Sequence, residues 1–392
     1  MTEEIKNIEF VAACIEGDKL YGAGIGVNIL FKYDLIAKTI ERLGVFEGFK
    51  IPFAFDICKI FKYEGKLYCF SRHSYEVAMY CLEKDTFTYY RPESEKNEAV
   101  SIRCVCCIGN DVWMFREARV GSILVFSMER GCYSEYEVDT SVLNEFDFSF
   151  YVGSETCLYF DKHIWRCLPG NNVLLGYDLE NFQLKIIELE ESISSYTVSC
   201  AGKTFFVLGR DGKKILTWKP DTRERSVWET GYEGIGDRPF REVICKGNYL
   251  FLIPCFEERV YCYEIYEDKL CFKKYIEYPE EVKRLHNIGS QSMFVEYTIR
   301  NENELYLFPF GGNGMLWINL DSHETKFYSV QISEEDYVVS GIKSEKLLYD
   351  NQATLEYLMD YLMSIITNRE KSWIRNDVIG CKCWKQLNGE LI

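Results

Sequence analysis

Histidine is scarce in this chain. Its four copies, His73, His163, His286 and His323, lie far apart in 392 residues, so no multi-histidine metal set is expected. The cysteines are many, 17 in all, but Cys381-Lys382-Cys383 has no second pair at zinc-ligand spacing. No Gly-x-Ser-x-Gly elbow occurs. The glycine-rich stretches at Gly22, Gly24 and Gly26 and at Gly231–Pro239 run into strand-like sequence, whereas a phosphate-binding turn leads into a helix. No cofactor is therefore expected. Positive charge is also in deficit: 45 Lys and Arg against 61 Asp and Glu give a net charge of −16. A partner rich in backbone phosphate needs a basic surface, so nucleic acid is not expected. No apolar run approaches the roughly 20 residues that span a bilayer, which predicts no membrane segment. The start, Met1-Thr2-Glu3-Glu4-Ile5-Lys6-Asn7, has no basic n-region followed by an apolar run, so no secretory leader is expected.

Proline is sparse at 8, while 28 Tyr and 26 Phe bring aromatics to 16%. That is strand chemistry. Most cysteines sit inside strand-like runs such as Cys104-Val105-Cys106-Cys107, where they act as small buried apolar residues suited to a reducing, cytoplasmic setting.

A short phrase then recurs: a two-residue turn, often with Gly or Asn, followed by an apolar and an aromatic residue. It reads Gly17-Asp18-Lys19-Leu20-Tyr21, Gly65-Lys66-Leu67-Tyr68, Asn110-Asp111-Val112-Trp113, Glu155-Thr156-Cys157-Leu158-Tyr159, Gly202-Lys203-Thr204-Phe205-Phe206, Gly247-Asn248-Tyr249-Leu250-Phe251 and Asn303-Glu304-Leu305-Tyr306. The closing aromatics stand 45 to 47 residues apart for five steps and 55 at the last. Such a period is that of propeller blades. The fold class expected is all-β: a seven-bladed β-propeller of four-stranded antiparallel blades, six or eight remaining open, followed by a C-terminal helical tail. Blades are placed at about 8–46, 54–92, 100–138, 146–189, 194–230, 240–277 and 292–330 within a propeller domain of 1–342. Tyr337–Ile342 is a candidate addition to the ring at closure.

Three segments carry a family resemblance. Leu305-Tyr306-Leu307-Phe308-Pro309-Phe310-Gly311-Gly312 ends an apolar-aromatic strand in paired glycines, and Tyr33-Asp34 and Tyr177-Asp178 close third strands with a Tyr-Asp step. In these features the chain resembles the Kelch and galactose-oxidase type of propeller, over about 320 residues. The resemblance implies a propeller that binds partners through one face. It carries over no copper site, because the matching Tyr, His and Tyr-Cys pattern is missing.

Beyond the period, 343–392 reads as a separate tail. Leu355, Leu358, Met359, Leu362, Ile365 and Ile366 fall at intervals of three and four, the stripe of an amphipathic helix. Packing on the ring, docking a partner and self-association through this helix all remain open.

Loops on a rigid scaffold carry function, and charged groups collect after the second strands: Arg72 and His73; Arg116 and Arg119; His163 and Arg166; Arg210; Arg259. The connector Gly231–Pro239 adds Tyr232 and Arg238, and Tyr278–Asn287 is an insertion expected to form a short helical turn. Converging arginines would hold a small anionic ligand through forked hydrogen bonds. Solvated loop cations are the plainer alternative. Two functions follow. The first is a noncatalytic cytoplasmic module that binds a protein, peptide or glycan-related ligand. The second is an enzyme acting on a small anionic sugar at the channel mouth, as Kelch-like sialic acid epimerases do.

Overall fold

A computed structural model describes residues 6–7, 10–24, 27–49, 57–72, 74–92, 102–116, 121–143, 156–168, 172–189, 195–234, 239–255, 259–266, 269–285, 294–300, 303–309 and 314–332. A two-residue turn closes the first hairpin in each of blades 1 to 6. In blades 1, 3, 5 and 6 the first turn residue is Gly17, Gly109, Gly202 or Gly247, each at positive φ (52° to 61°). That is the glycine position of a type II′ turn, whose twist matches the flanking strands. Blade 2 uses Glu64 (46°) and Gly65 (71°), both positive as in a type I′ turn.

Blade 4 departs from the expected register. Its hairpin turns at Asp161 (47°) and Lys162 (62°), with Phe160 paired to His163. The phrase is therefore Asp161-Lys162-His163-Ile164-Trp165, six residues later than Glu155–Tyr159. Tyr159 belongs to the inner strand.

Seven separate four-stranded antiparallel sheets result. Blade 1 comprises Phe10–Glu16, Lys19–Gly24, Val27–Asp34 and Thr39–Val45; blade 2, Ile57–Tyr63, Lys66–Ser71, Val77–Cys81 and Thr86–Tyr90. Blade 3 is Ile102–Ile108, Asp111–Arg116, Ser122–Ser127 and Cys132–Glu137; blade 4, Leu158–Phe160, His163–Cys167, Val173–Asp178 and Leu184–Glu188. Blade 5 is Ser195–Ala201, Thr204–Gly209, Lys214–Trp218 and Arg225–Glu229; blade 6, Phe240–Lys246, Tyr249–Pro254, Arg259–Tyr266 and Lys269–Glu277. Blade 7 is Phe294–Arg300, Glu304–Pro309, Gly314–Asn319 and Thr325–Ser329. Each is read from the inner strand outward.

Burial follows that radial order. All six residues of Ser122–Ser127 are buried, whereas the outer strand beside it alternates between exposed and half-buried. Side chains of the middle strands fill the gaps between blades, so seven apolar cores each straddle two neighbours. The core between blades 7 and 1 closes the ring, with Phe10 edge-on to Phe308 at 5.6 Å. Lys6–Asn7 also pairs antiparallel with Gln331–Ile332, tying the two ends of the ring together. In six blades the inner strand carries a register shift near its start, as between Phe10 and Ala12 or Phe240 and Glu242. Blade 4 has a three-residue inner strand instead.

Because strand direction alternates, the turns after first and third strands share one face of the ring, the hairpin face. The loops after second strands and the connectors between blades share the other, the connector face. On the hairpin face Lys19–Asp34, Lys162–Glu180 and Lys203–Asp221 pair within blades, and Lys62–Glu16 and Lys246–Asp321 pair across them. The insertion before blade 7 forms a helix, Glu280–Leu285, and seats Tyr278 and Val282 in the core between blades 6 and 7. The apolar run Tyr337–Ile342, the paired glycines Gly311-Gly312 and the tail 343–392 lie outside the described residues.

Candidate functional site

Among the described residues, the charged side chains singled out above are spread over the ring: Arg72 in blade 2, His163 and Arg166 in blade 4, Arg210 in blade 5 and Arg259 in blade 6. Arg72 is half-buried just past the second strand of blade 2, and its carbonyl accepts the amide of Ile102 of blade 3 at 2.8 Å. Arg210 is half-buried at the equivalent place in blade 5. Arg116 ends the second strand of blade 3; its side chain, with His73, Arg119 and Arg238, lies outside the described residues.

Four placements differ from expectation. His163, expected in a loop with Arg166, opens the second strand of blade 4 on the hairpin face, because the turn lies at Asp161–Lys162. Its ring stacks on Trp165 (5.4 Å, 19°), and its Nδ1 is 2.6 Å from the Asp161 carbonyl oxygen. Arg166 lies within the strand and is 1% exposed. Arg259 begins the third strand of blade 6, opposite Glu277, and its guanidinium lies 4.0 Å above the outer-strand Tyr275. Its charge is held outward by a cation–π contact. Tyr232 packs edge-on against Phe240 (5.3 Å) and Tyr261 (6.4 Å) as part of the core between blades 5 and 6.

Arg166 is buried beside the short inner strand of blade 4. Among the described residues only Leu158, Tyr159 and Phe160 pair with the second strand, and Arg166 and Cys167 lie beyond those pairs. Thr156 and blade 5 fill that place. The Thr156 and Thr197 hydroxyls are 3.2 Å apart, Thr197 donates to Glu242 of blade 6 at 2.9 Å, and Ser195 donates to the Val173 carbonyl at 2.9 Å. Arg166 stacks on Phe115 of blade 3 at 4.8 Å. Cys104 and Cys167 also sit here, and burial pushes both thiols up despite the nearby guanidinium, which makes them poor nucleophiles at neutral pH. A buried polar line thus runs from Arg166 of blade 4 through Ser195 and Thr197 of blade 5 to Glu242 of blade 6. It positions blades without exposing chemistry.

The exposed chemistry is elsewhere, at the junction of blades 5 and 6. A cleft of about 580 Å³ opens on the hairpin face, walled by Thr204, Phe206 and Thr217 of blade 5 and Asn248 and Ile265 of blade 6. Lys219 and Glu224, 3.4 Å apart, also line it. Ile265 pairs with Leu270, and from there the outer strand carries an aromatic strip toward the outer wall. Phe272 (49% exposed) contacts Tyr275 (38% exposed) at 4.8 Å; beneath them Tyr263 meets Phe272 at 5.7 Å and Tyr261 meets Tyr275 at 4.9 Å. The outer strand that carries the strip is nine residues long, and that of blade 5 is five. Sequence reasoning passed over Phe272 and Tyr275. The available signal was a run from Lys269 to Glu277 without a turn residue.

No protein-family model matches the chain, and no characterised protein matches it in sequence. Solved structures do match in shape. Virginiamycin B lyase from Staphylococcus aureus superposes with a TM-score of 0.54 at 12% identity, over 78% of this chain and 95% of that one. The WD40 repeats of RRP9 give 0.51 at 9% identity, over 78% and 92%, and the computationally designed Ika8 protein 0.52 at 11%, over 84% and 90%. What they share with this chain is the fold. It is a seven-bladed β-propeller. Among propellers of this shape are a lyase and WD40 proteins, so shape alone selects no activity.

Proposed function

We propose that this propeller is a noncatalytic binding or scaffold module for a protein or peptide, with its docking surface at the junction of blades 5 and 6. The observation that carries the reading is the aromatic strip. Of the six large hydrophobic side chains exposed among the described residues, two, Phe272 and Tyr275, share one side of the outer strand of blade 6. Aromatic groups beside an arginine, next to a cleft, are the composition of interaction hot spots. A structural neighbour is found in the mitotic checkpoint complex, an assembly of proteins, which agrees with the same reading. The Kelch resemblance belongs with this proposal too. The Asp of each Tyr-Asp step accepts backbone amides of the following turn: Asp34 from Ile36 and Ala37, Asp178 from Glu180 and Asn181. Those aspartates fold the blade and leave recognition to other residues. A cytoplasmic setting suits a chain whose described cysteines are free and mostly buried or half-buried.

The test compares proteins retained from a host lysate by the immobilised wild-type chain and by the double variant Phe272→Ser/Tyr275→Ser. Specific retention is expected to disappear in the variant while its melting temperature holds. An unchanged retained set would refute the docking surface.

A further inference from the structure

Among the seven outer strands, that of blade 6 is both the longest and the most basic. It runs nine residues where the others run five to seven. Lys269, Lys273 and Lys274 stand against one carboxylate, Glu277, a net of +2 in a chain of net charge −16. The corresponding strand of blade 3 carries −2, that of blade 7 carries +1, and the other four are neutral. An outer strand leaves one row of backbone groups unpaired, ready to accept another strand. Here its charge repels a second copy of the same edge and attracts an acidic one.

Register divides the two sides of this edge. Leu270, Phe272 and Tyr275 pair with Ile265, Tyr263 and Tyr261, whose side chains enter the core between blades 5 and 6. Lys274 pairs with Cys262, which enters the core between blades 6 and 7, and Lys269 pairs with Tyr266 in the same alternation. Lys273 is the extra residue of a bulge and is held by Glu264 at 2.8 Å. Among the described residues neither Lys269 nor Lys274 is in an ion pair. One side of the edge is therefore aromatic and the other cationic.

We propose that the outer edge of blade 6 binds an extended acidic segment of a partner protein. Its alternate side chains are apolar toward Phe272 and Tyr275 and carboxylates toward Lys269 and Lys274. Side chains of an added strand alternate with period two, which is the alternation this edge presents. From Lys269 to Tyr275 the edge measures about 20 Å at about 3.3 Å per residue, so a segment of roughly six to eight residues covers it. This inference rests on the protein-binding reading above and adds the chemistry of the partner.

The experiment pans a display library of random octapeptides on the full chain, then measures the selected peptides against variants. Selection is expected to yield acidic residues at every second position with apolar residues between. Affinity should fall at least about tenfold on Lys269→Glu/Lys274→Glu, and should weaken as salt screens the lysines. Peptides lost on Phe272→Ser/Tyr275→Ser but indifferent to the charge reversal would overturn this inference and leave the binding reading standing. If no pool separates wild type from the aromatic variant, both fall. A dimer seen by sedimentation and dissolved by the charge reversal would make a second copy the occupant and likewise overturn it. Melting temperature checks that each variant folds.

Discussion

Gly176→Ala tests the packing of blade 4 at its tightest point. Gly176 lies on the third strand opposite Trp165 and Lys185. A Cβ placed there would stand 2.6, 2.8 and 2.9 Å from three carbons of the Trp165 six-membered ring. The indole has little room to retreat: it is 3% exposed, edge-on to Phe205 and Trp218 at 5.5 Å each, and Lys185 lies 5.7 Å from its centre. Overpacking of this kind costs about 1–3 kcal/mol. The reduced freedom of the unfolded chain returns about 0.4–1 kcal/mol. A net loss of about 1–2 kcal/mol is expected, read as a lower urea midpoint at unchanged slope with tryptophan fluorescence as probe. In a Trp165→Phe background the clashing atoms are gone, so the same alanine should cost at least about 1 kcal/mol less, a coupling that neighbours in contact display. The reasoning is refuted if Gly176→Ala matches wild type, or if its cost is the same in both backgrounds.

Two further outcomes bear on other parts of the ring. Lys162→Gly should stabilise the protein by about 0.5–1 kcal/mol in the same urea assay, since glycine relieves a left-handed position and the exposed pair with Glu180 contributes little; a loss of stability would contradict the turn at Asp161–Lys162. Hydrogen bonding from Lys19, then from the amides of Ala37 and Ile36, holds the Asp34 carboxyl down at about 2. Its contribution is therefore present above the usual carboxylate range and is lost as pH falls from that range through about 2. Asp34→Asn should flatten that part of an acid-unfolding curve, and an unaltered curve would count against the bonding described.

The architecture was legible because each hairpin repeats a local requirement. A two-residue turn needs positive φ, glycine meets it at Gly17, Gly65, Gly109, Gly202 and Gly247, and an apolar-aromatic pair follows into the buried second strand. Blade 4 misled because Asp161 and Lys162 take those angles without glycine. The register shifts of the inner strands were not legible at all. The residues they skip, among them Cys58, Tyr196 and Arg241, have no chemistry in common. The candidate site was missed for a different reason. The sequence places the arginines in loops after second strands, yet Arg166 turns into a strand interior and Arg259 lies over Tyr275. For Phe272 the one local signal was the run from Lys269 to Glu277 without a turn residue, which gives the length of the strand and not the exposure of its side chains.

The seven cores divide differently from the seven blades. Every blade is one continuous stretch of chain, yet each core takes its side chains from two of them. No blade owns an interior. Translation stopped after any blade short of the last would leave two bare apolar walls, one at each end of an open arc, and nothing to bury them until the missing segment arrived. Folding of this ring is accordingly a matter of completion: the last core, where Phe308 meets Phe10, turns a row of adhesive half-interfaces into an object with no ends.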